Sequence, residues 1–374
     1  MRISVVKETA EFEKRVALTP DLVKRLCDAG HEVTVEKNAG ADAGFLDDVY
    51  KSAGAKIGKS FADTAKGASV VLKVGPLEDK QVAALSENTV VIAIQKPYGS
   101  KAFFEKIAAQ NATAFALEFV PRITRAQSMD VLSSQSNLAG YRAVVEGAFE
   151  FDRALPLMMT AAGTVTAARI LVMGAGVAGL QAIATARRLG AIVSAFDVRA
   201  AAKEQVESLG ATFVEVDYHE TGEGTGGYAK EMSEGYKKAQ AEKLLEVLKT
   251  QDIVITTALI PGKPAPILIT EDMVADMKVG SVIVDLAIES GGNCALSKTG
   301  VSVTDNGVKI VAYPNMASRI AYNASQLYSK NVFNFLSLLI DKDSQDLKID
   351  FNDEIIKSSC LCNEGKLLHS VFES

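Results

Sequence analysis

Apolar residues in this chain gather into short unbroken runs, and between the runs they recur at helical spacing. Residues 3–6, 31–36, 70–74, 90–94 and 113–116 read as strands. Thr19-Pro20-Asp21 reads as the cap of a helix reaching residue 29, with Gly30 as its stop, and residues 47–52 as a shorter helix. Runs of Val and Ile without polar alternation suit parallel strands covered on both faces. Residues 1 to about 130 therefore predict an α/β domain.

Residues 138–150 predict a helix and residues 155–163 a hinge-like segment. A second series then follows, with strands at 170–173, 192–196, 212–216, 252–257, 281–285 and 309–312 and helices at 178–189, 201–209 and 237–249. The helix predicted over 318–340 has the length to return to the first domain, and residues 347–369 alternate weakly, as a hairpin that packs on a partner subunit. The expected fold is α/β: two Rossmann-like, doubly wound parallel-sheet domains linked by long helices, with a nucleotide cleft between them. The expected boundaries are 1–136 with 318–374 for the first domain and 137–317 for the second.

The second series opens on a fingerprint. Gly174-Ala175-Gly176-Val177-Ala178-Gly179 follows the strand at 170–173 with G-x-G-x-x-G spacing, and the strand at 192–196 ends on Asp197-Val198-Arg199. Gly174 allows a tight turn, Gly176 lets the backbone approach a pyrophosphate, and Gly179 lets helix and strand pack closely. The helix N-terminus offers N–H groups and a partial positive charge to phosphates. Asp197 lies at the distance expected of a ribose-binding acid, and favours NAD over NADP because a carboxylate repels a 2′-phosphate. Arg199 pulls the other way, being of the type that accommodates that phosphate. An ordinary βαβ turn using glycine for packing is the plainer alternative; the flanking strand, helix and acid speak against it.

Further candidates sit in loops. Residues 121–137 are dense in hydrogen-bonding side chains, which suits binding of a polar ligand or the capped start of a helix. Residues 220–230 break all periodicity with closely spaced glycines and Tyr228 at their edge, as a mobile flap or a passive linker would. Ala258-Leu259 and Leu286 open two loops at strand ends that would face the nicotinamide half of a dinucleotide. Arg15 and Lys73 also follow strands of the first domain, and by spacing alone read as solvated surface cations.

With 374 residues, of which 48% are hydrophobic, two full-sized cores are feasible. The net charge of −6 gives no case for nucleic acid or an anionic membrane. Cys27, Cys294, Cys360 and Cys362 read as small core residues of a reducing compartment, and His31, His219 and His369 share no metal-ligand spacing, so no metal is expected. Lys7 and Glu8 interrupt the first apolar run, which argues against a signal peptide, and no run approaches a membrane span.

The sequence Arg-Ala-Gln-Ser-Met-Asp-Val-Leu-Ser-Ser-Gln-Ser-Asn-Leu-Ala-Gly-Tyr-Arg-Ala-Val at 125–144, with the glycine fingerprint and Pro-Gly-Lys-Pro-Ala-Pro at 261–266, resembles domain I of proton-translocating nicotinamide nucleotide transhydrogenase, its NAD(H)-binding component. The resemblance spans nearly the whole chain. It implies that the family's Arg-Gln-Asp loop falls on Arg122, Gln127 and Asp130, with Ser133 beside them and Gln135, Ser136 and Asn137 following. It implies a mobile loop over 220–232, with Gly227, Tyr228 and Met232 closing over nucleotide. Hydride would pass between NADH here and NADP⁺ on a partner subunit. A chain ending near residue 374 without membrane helices looks like the separate α1-type subunit of bacterial three-subunit forms. That implies a cytoplasmic homodimer held at the inner membrane by membrane-spanning partners that move the protons.

Alanine dehydrogenase is the related alternative, similar at Arg15, Lys73 and Asp-Leu-Ala-Ile-Glu-Ser-Gly-Gly (285–292). That enzyme uses a histidine after a first-domain strand to move a proton, where this chain has Gln95, which is neither acid nor base. A non-catalytic NAD(H) sensor is a further alternative, though it leaves the polar 122–136 stretch without a purpose.

Overall fold

The computed structural model describes residues 1–218, 220, 222, 232–341 and 343–373. These form two compact units, Met1–Gln135 with Ser318–Ser374, and Ser136–Ala317.

The first unit is built on parallel strands β1 (Arg2–Val5), β2 (Glu32–Glu36), β3 (Lys56–Gly58), β4 (Val70–Leu72), β5 (Val90–Ala93) and β6 (Thr113–Ala116), in the order β6-β5-β4-β1-β2-β3. Every residue of β4, β5 and β6 is buried, which is why their sequence shows no polar alternation. The chain winds out from β1 through β2 to β3, then restarts on the other side of β1 at β4, so the order reverses between β1 and β4. Thr19 precedes the Pro20–Asp28 helix but makes no side-chain cap; its hydroxyl bonds Ser329 Oγ at 3.1 Å instead.

The second unit carries β9 (Arg169–Met173), β10 (Ile192–Phe196), β11 (Thr212–Phe213), β12 (Ile253–Thr256), β13 (Val282–Asp285), β14 (Gly300–Val303) and β15 (Lys309–Ala312). The order is β11-β10-β9-β12-β13-β15-β14, parallel except for β14, and the winding reverses between β9 and β12. The strand expected over 212–216 stops at Phe213, because β10, its one neighbour, ends at Phe196. The stretch at 155–163 is not a plain hinge. It opens the hairpin of β7 (Met158–Thr160) and β8 (Gly163–Val165), exposed along its whole length.

The chain then returns to the first unit. The long helix is shorter than periodicity predicts, running Ala321–Leu336 between 3₁₀ turns at Met316–Ile320 and Ser337–Leu339. Its Tyr328, Val332, Phe335 and Leu336 lie in the first unit's core. The tail forms the Glu354–Ser359 helix, β16 (Cys360–Asn363) and β17 (Lys366–Leu367). The hairpin β16-β17 extends this chain's own sheet, with β16 antiparallel to β6. Cys360 and Cys362 are core residues there, and burial pushes both thiols up to about 12.

Candidate functional site

The glycine turn lies where the second unit's sheet reverses direction, the place at which open α/β sheets bind ligands. Gly174 has φ of 99°, and a Cβ on it would stand 2.5 Å from Thr257 Oγ1. That hydroxyl donates to the Gly174 carbonyl at 3.0 Å, pinning the turn to the end of β12. A Cβ on Gly179 would stand 1.8 Å from the Gly174 carbonyl oxygen, so no larger residue fits without moving the helix. Gly176 is different: nothing lies within 4 Å of where its Cβ would be. It precedes the Val177–Arg188 helix, whose first N–H groups have no intrahelical partner. Ala175 is buried beneath the turn and Val177 is exposed.

Asp197, at the end of β10, accepts from Ala175 N at 2.7 Å, which ties it to the glycine turn. Both its oxygens also accept from Arg199, Nε to Oδ1 at 2.9 Å and Nη2 to Oδ2 at 2.7 Å. Val198 accepts from Gly222 N at 2.8 Å. Met232 is buried, while Gly227 and Tyr228 lie outside the described residues, as does most of the proposed flap. The base of that loop is described: Glu220 accepts from Ser233 N at 3.1 Å and from Ser233 Oγ, joining the two ends.

At the ends of β12 and β13, Leu259 is exposed and Leu286 N donates to the Thr256 carbonyl at 3.0 Å. Ala258 is held on both its backbone groups by Asn293, a residue that no motif or spacing marks out.

The polar stretch 121–137 is only half a loop. Arg122 and Gln127 are exposed, Gln127 on a 3₁₀ turn at Thr124–Met129, and the helix already begins at Val131. It starts there because Asp130 and Ser133 satisfy each other: Ser133 N donates to Asp130 Oδ1 at 2.8 Å and Ser133 Oγ to Oδ2 at 2.6 Å. Ser136 is partly buried, and Asn137 donates to Gln181 Oε1 at 3.1 Å. The tail and the Ala321–Leu336 helix clasp this stretch through groups without any signal in the sequence. Arg125 pairs bidentately with Asp353, and Asn331 donates to the Ser128 carbonyl at 2.8 Å.

Arg15 and Lys73 are not surface cations. Arg15 is paired with Glu13 at 2.6 Å and donates to Gln135 Oε1 at 2.8 Å, and the three side chains are buried together. Lys73 donates to Glu8 at 2.6 Å, and Glu8 also accepts from Val74 N. Burial pushes the Glu8 carboxyl up against the pull of Lys73; burial also lowers the Arg15 guanidinium, but Glu13, with Tyr328 and Glu8, raises it on balance. Tyr328 donates to the Lys73 carbonyl at 2.9 Å, its own hydroxyl held well above the usual range by burial. Breaking one buried pair of this kind costs about 3–5 kcal/mol. Spacing could not expose the Glu8–Lys73 pair, because its partners follow β1 and β4, which meet at the reversal of the sheet, and it could not show that Gln135 closes over Arg15 from 120 residues away.

Gln95, at the end of β5, is buried, and its Oε1 has no hydrogen-bond partner within the described chain. Among the described residues no group of three or more His, Cys, Asp or Glu is arranged to hold a metal.

Residues 4–139 match the alanine dehydrogenase/PNT N-terminal domain, and residues 143–370 match the C-terminal domain of the same description. The chain belongs to the alanine dehydrogenase/PNT family. Within that family it is 52% identical, over 99% of its length and 98% of the relative's, to a protein of Rhodospirillum rubrum named as the first portion of NAD(P) transhydrogenase subunit alpha. It is 30% identical to the alanine dehydrogenase of Halomonas elongata, over 99% of this chain and 95% of that one. Among solved structures of the family, the transhydrogenase from Sinorhizobium meliloti superposes with a TM-score of 0.88 at 49% identity, covering 98% of this chain and all of that one. The family's fold is thus common to both activities, and identity leans to the transhydrogenase side.

Proposed function

We propose that the chain is the NAD(H)-binding subunit of a proton-translocating transhydrogenase, holding NADH while hydride passes to NADP⁺ on a partner subunit. The observation that carries the reading is the opening above Gly176, beside a helix N-terminus and tied through Ala175 to the acid that ends the next strand. A dinucleotide fits these residues, with pyrophosphate at the helix N-terminus and the adenosine ribose at Asp197. The relative in Rhodospirillum rubrum, named for the alpha subunit of NAD(P) transhydrogenase, supports the choice among nucleotide-dependent activities.

The nicotinamide ring supplies the hydride chemistry when bound. The residues of this chain supply position. Gly174, Gly176 and Gly179 hold the phosphates, and Asp197 accepts from ribose hydroxyls. Arg122, Gln127, Asp130 and Ser133 orient the nicotinamide, its ribose and the nearby phosphate. Tyr228 and Met232 close over the nucleotide. Ala258, Leu259 and Leu286 bound its nicotinamide half. Transfer between two nicotinamides needs no side-chain acid or base; it needs reacting carbons at roughly 3–3.5 Å with water excluded. Gln95 suits that economy of groups, since its amide neither takes nor gives a proton.

In this reading a dimer of the chain docks one NADP(H)-binding subunit, transfer is of the Re/Si type, and membrane-spanning partners hold the complex at the bacterial inner membrane and carry the proton. Among the described residues no helix is long and apolar enough to cross a membrane. The test is to mix the chain with the NADP(H)-binding domain of a transhydrogenase and follow reduction of an NAD⁺ analogue by NADPH. Steady turnover supports the proposal. Turnover of alanine or pyruvate with the chain alone, and none in the mixture, overturns it.

A further inference from the structure

Asp285 ends β13 with no exposed surface, and among the described residues its five hydrogen-bond partners are all neutral. Oδ1 accepts from Thr256 Oγ1 at 3.1 Å and Ala287 N at 2.9 Å. Oδ2 accepts from Asn293 N at 2.8 Å, Cys294 N at 3.1 Å and Ser297 Oγ at 2.6 Å. A carboxylate removed from water and surrounded by N–H and O–H donors forms charge-assisted bonds, stronger than neutral ones. The loop from residue 286 to 297 is therefore wrapped around this one side chain. A Cβ on Gly292 would come within 2.8 Å of Oδ2, so the wrapping is tight.

The second link is Asn293, also without exposed surface. Its Oδ1 accepts from Ala258 N at 3.0 Å, and its Nδ2 donates to the Ala258 carbonyl at 2.9 Å and the Pro266 carbonyl at 2.8 Å. Both amide protons and the amide oxygen are engaged, which fixes the orientation of the group. Its own carbonyl accepts from Leu268 N and Ile269 N at 2.8 and 3.0 Å. The loop after β12 is thus anchored to the loop after β13 by the Asn293 side-chain amide, alongside the bond from Ala265 N to the Ser290 carbonyl at 2.8 Å, and the backbone N–H of Asn293 is held by Asp285.

We infer that Asp285 and Asn293 are positioning residues for the nicotinamide half of the dinucleotide. The inference rests on the nucleotide reading above and deepens it. In a sheet that reverses between β9 and β12, Asp197 lies on the β10 side and serves the adenosine half. The loops after β12 and β13 lie on the other side, where the remaining half of a dinucleotide belongs. Neither residue touches the ligand; they set where Ala258, Leu259 and Leu286 stand.

The test compares two ligands on Asn293→Ala. NADH uses both halves of the site, and ADP-ribose lacks the nicotinamide. The expected result is a loss of NADH affinity of about tenfold or more, with ADP-ribose affinity within about twofold of the unaltered chain. A purely structural role would weaken both alike, or shift thermal stability with neither affinity changed, and either result overturns the inference. Ser297→Ala removes one donor and leaves the backbone bonds, so it serves if Asn293→Ala does not fold; the same split is expected, smaller in size, and equal effects on both ligands overturn the inference there too. If the unaltered chain binds neither ligand, the nucleotide reading itself has failed, which is a distinct outcome.

Discussion

Arg199 lies back on Asp197, two residues before it, and closes a bidentate pair whose carboxylate is also bonded to the glycine turn through Ala175 N. The two residues that pull cofactor choice in opposite directions are therefore bound to each other. In the proposed binding mode the ribose 2′-position would face Asp197, with Arg199 already engaged by it.

Replacing Asp197 with Asn removes the charge that holds Arg199. NADH affinity is expected to fall about tenfold, in line with loss of charge-assisted hydrogen bonds, and NADPH affinity to rise as the guanidinium is released to a phosphate. Titration of both nucleotides against wild type and Asp197→Asn checks this. Unchanged NADPH binding would show that Arg199 does not reach the 2′-position.

Gln127 stands exposed on the 3₁₀ turn before the Val131–Glu150 helix, so its side chain can change without disturbing a core. Gln127→Asn shortens the side chain by one methylene and keeps the amide. Hydride transfer in the reconstituted complex is expected to slow by up to about a hundredfold, with NADH affinity within about threefold. A common factor on rate and affinity would refute the orienting role.

Gly179 is closed off from any side chain by the Gly174 carbonyl, 1.8 Å from the Cβ it would carry. Gly179→Ala forces the helix away from the turn, at about 1–3 kcal/mol. The melting temperature should fall, and nucleotide affinity with it, because the proposed binding mode puts the phosphates at the displaced helix end. A variant with wild-type melting and wild-type affinity contradicts the packing described for this turn.

Glu118, just past the end of β6, accepts from the backbone N–H groups of Gln95 and Lys96, and burial raises its carboxyl above the ordinary 4.5 despite these donors. A raised folded pKa means that the group's contribution to stability is complete below its unfolded value. The contribution is lost as pH rises through the folded value, since folding then holds a charge in a poorly solvated place. Glu118→Gln has no such titration. The stability of the variant relative to wild type should therefore rise as pH climbs from the ordinary carboxylate range through the raised folded value. Parallel melting curves for the two proteins across that range would mean that Glu118 is no less solvated than in the unfolded chain.

Much of the architecture is readable from residue order because its causes are local. Parallel strands announce themselves as unbroken Val and Ile runs, and the stretch from Arg169 to Arg199 names its strand, turn, helix and acid in order. The helix that starts at Val131 is also within reach, since Asp130 and Ser133 cap it across a single turn. Its polar density conceals it as a loop. The antiparallel strands β14 and β16 are not readable, because each is defined by a neighbour brought up from elsewhere in the chain.

Residue order alone thus settles the apolar runs that become most of the parallel strands, the glycine turn and the identity of the acid after it, all features set by spacing of a few residues. The state of the charges is fixed in three dimensions. Folding buries Lys73 on Glu8 and Arg15 on Glu13 and Gln135, engages Arg199 with Asp197, and gives Asp285 and Asn293 their hold on the strand-end loops. The reason is physical: desolvation and hydrogen-bond satisfaction depend on which distant segments meet, and periodicity along a chain carries no record of that meeting.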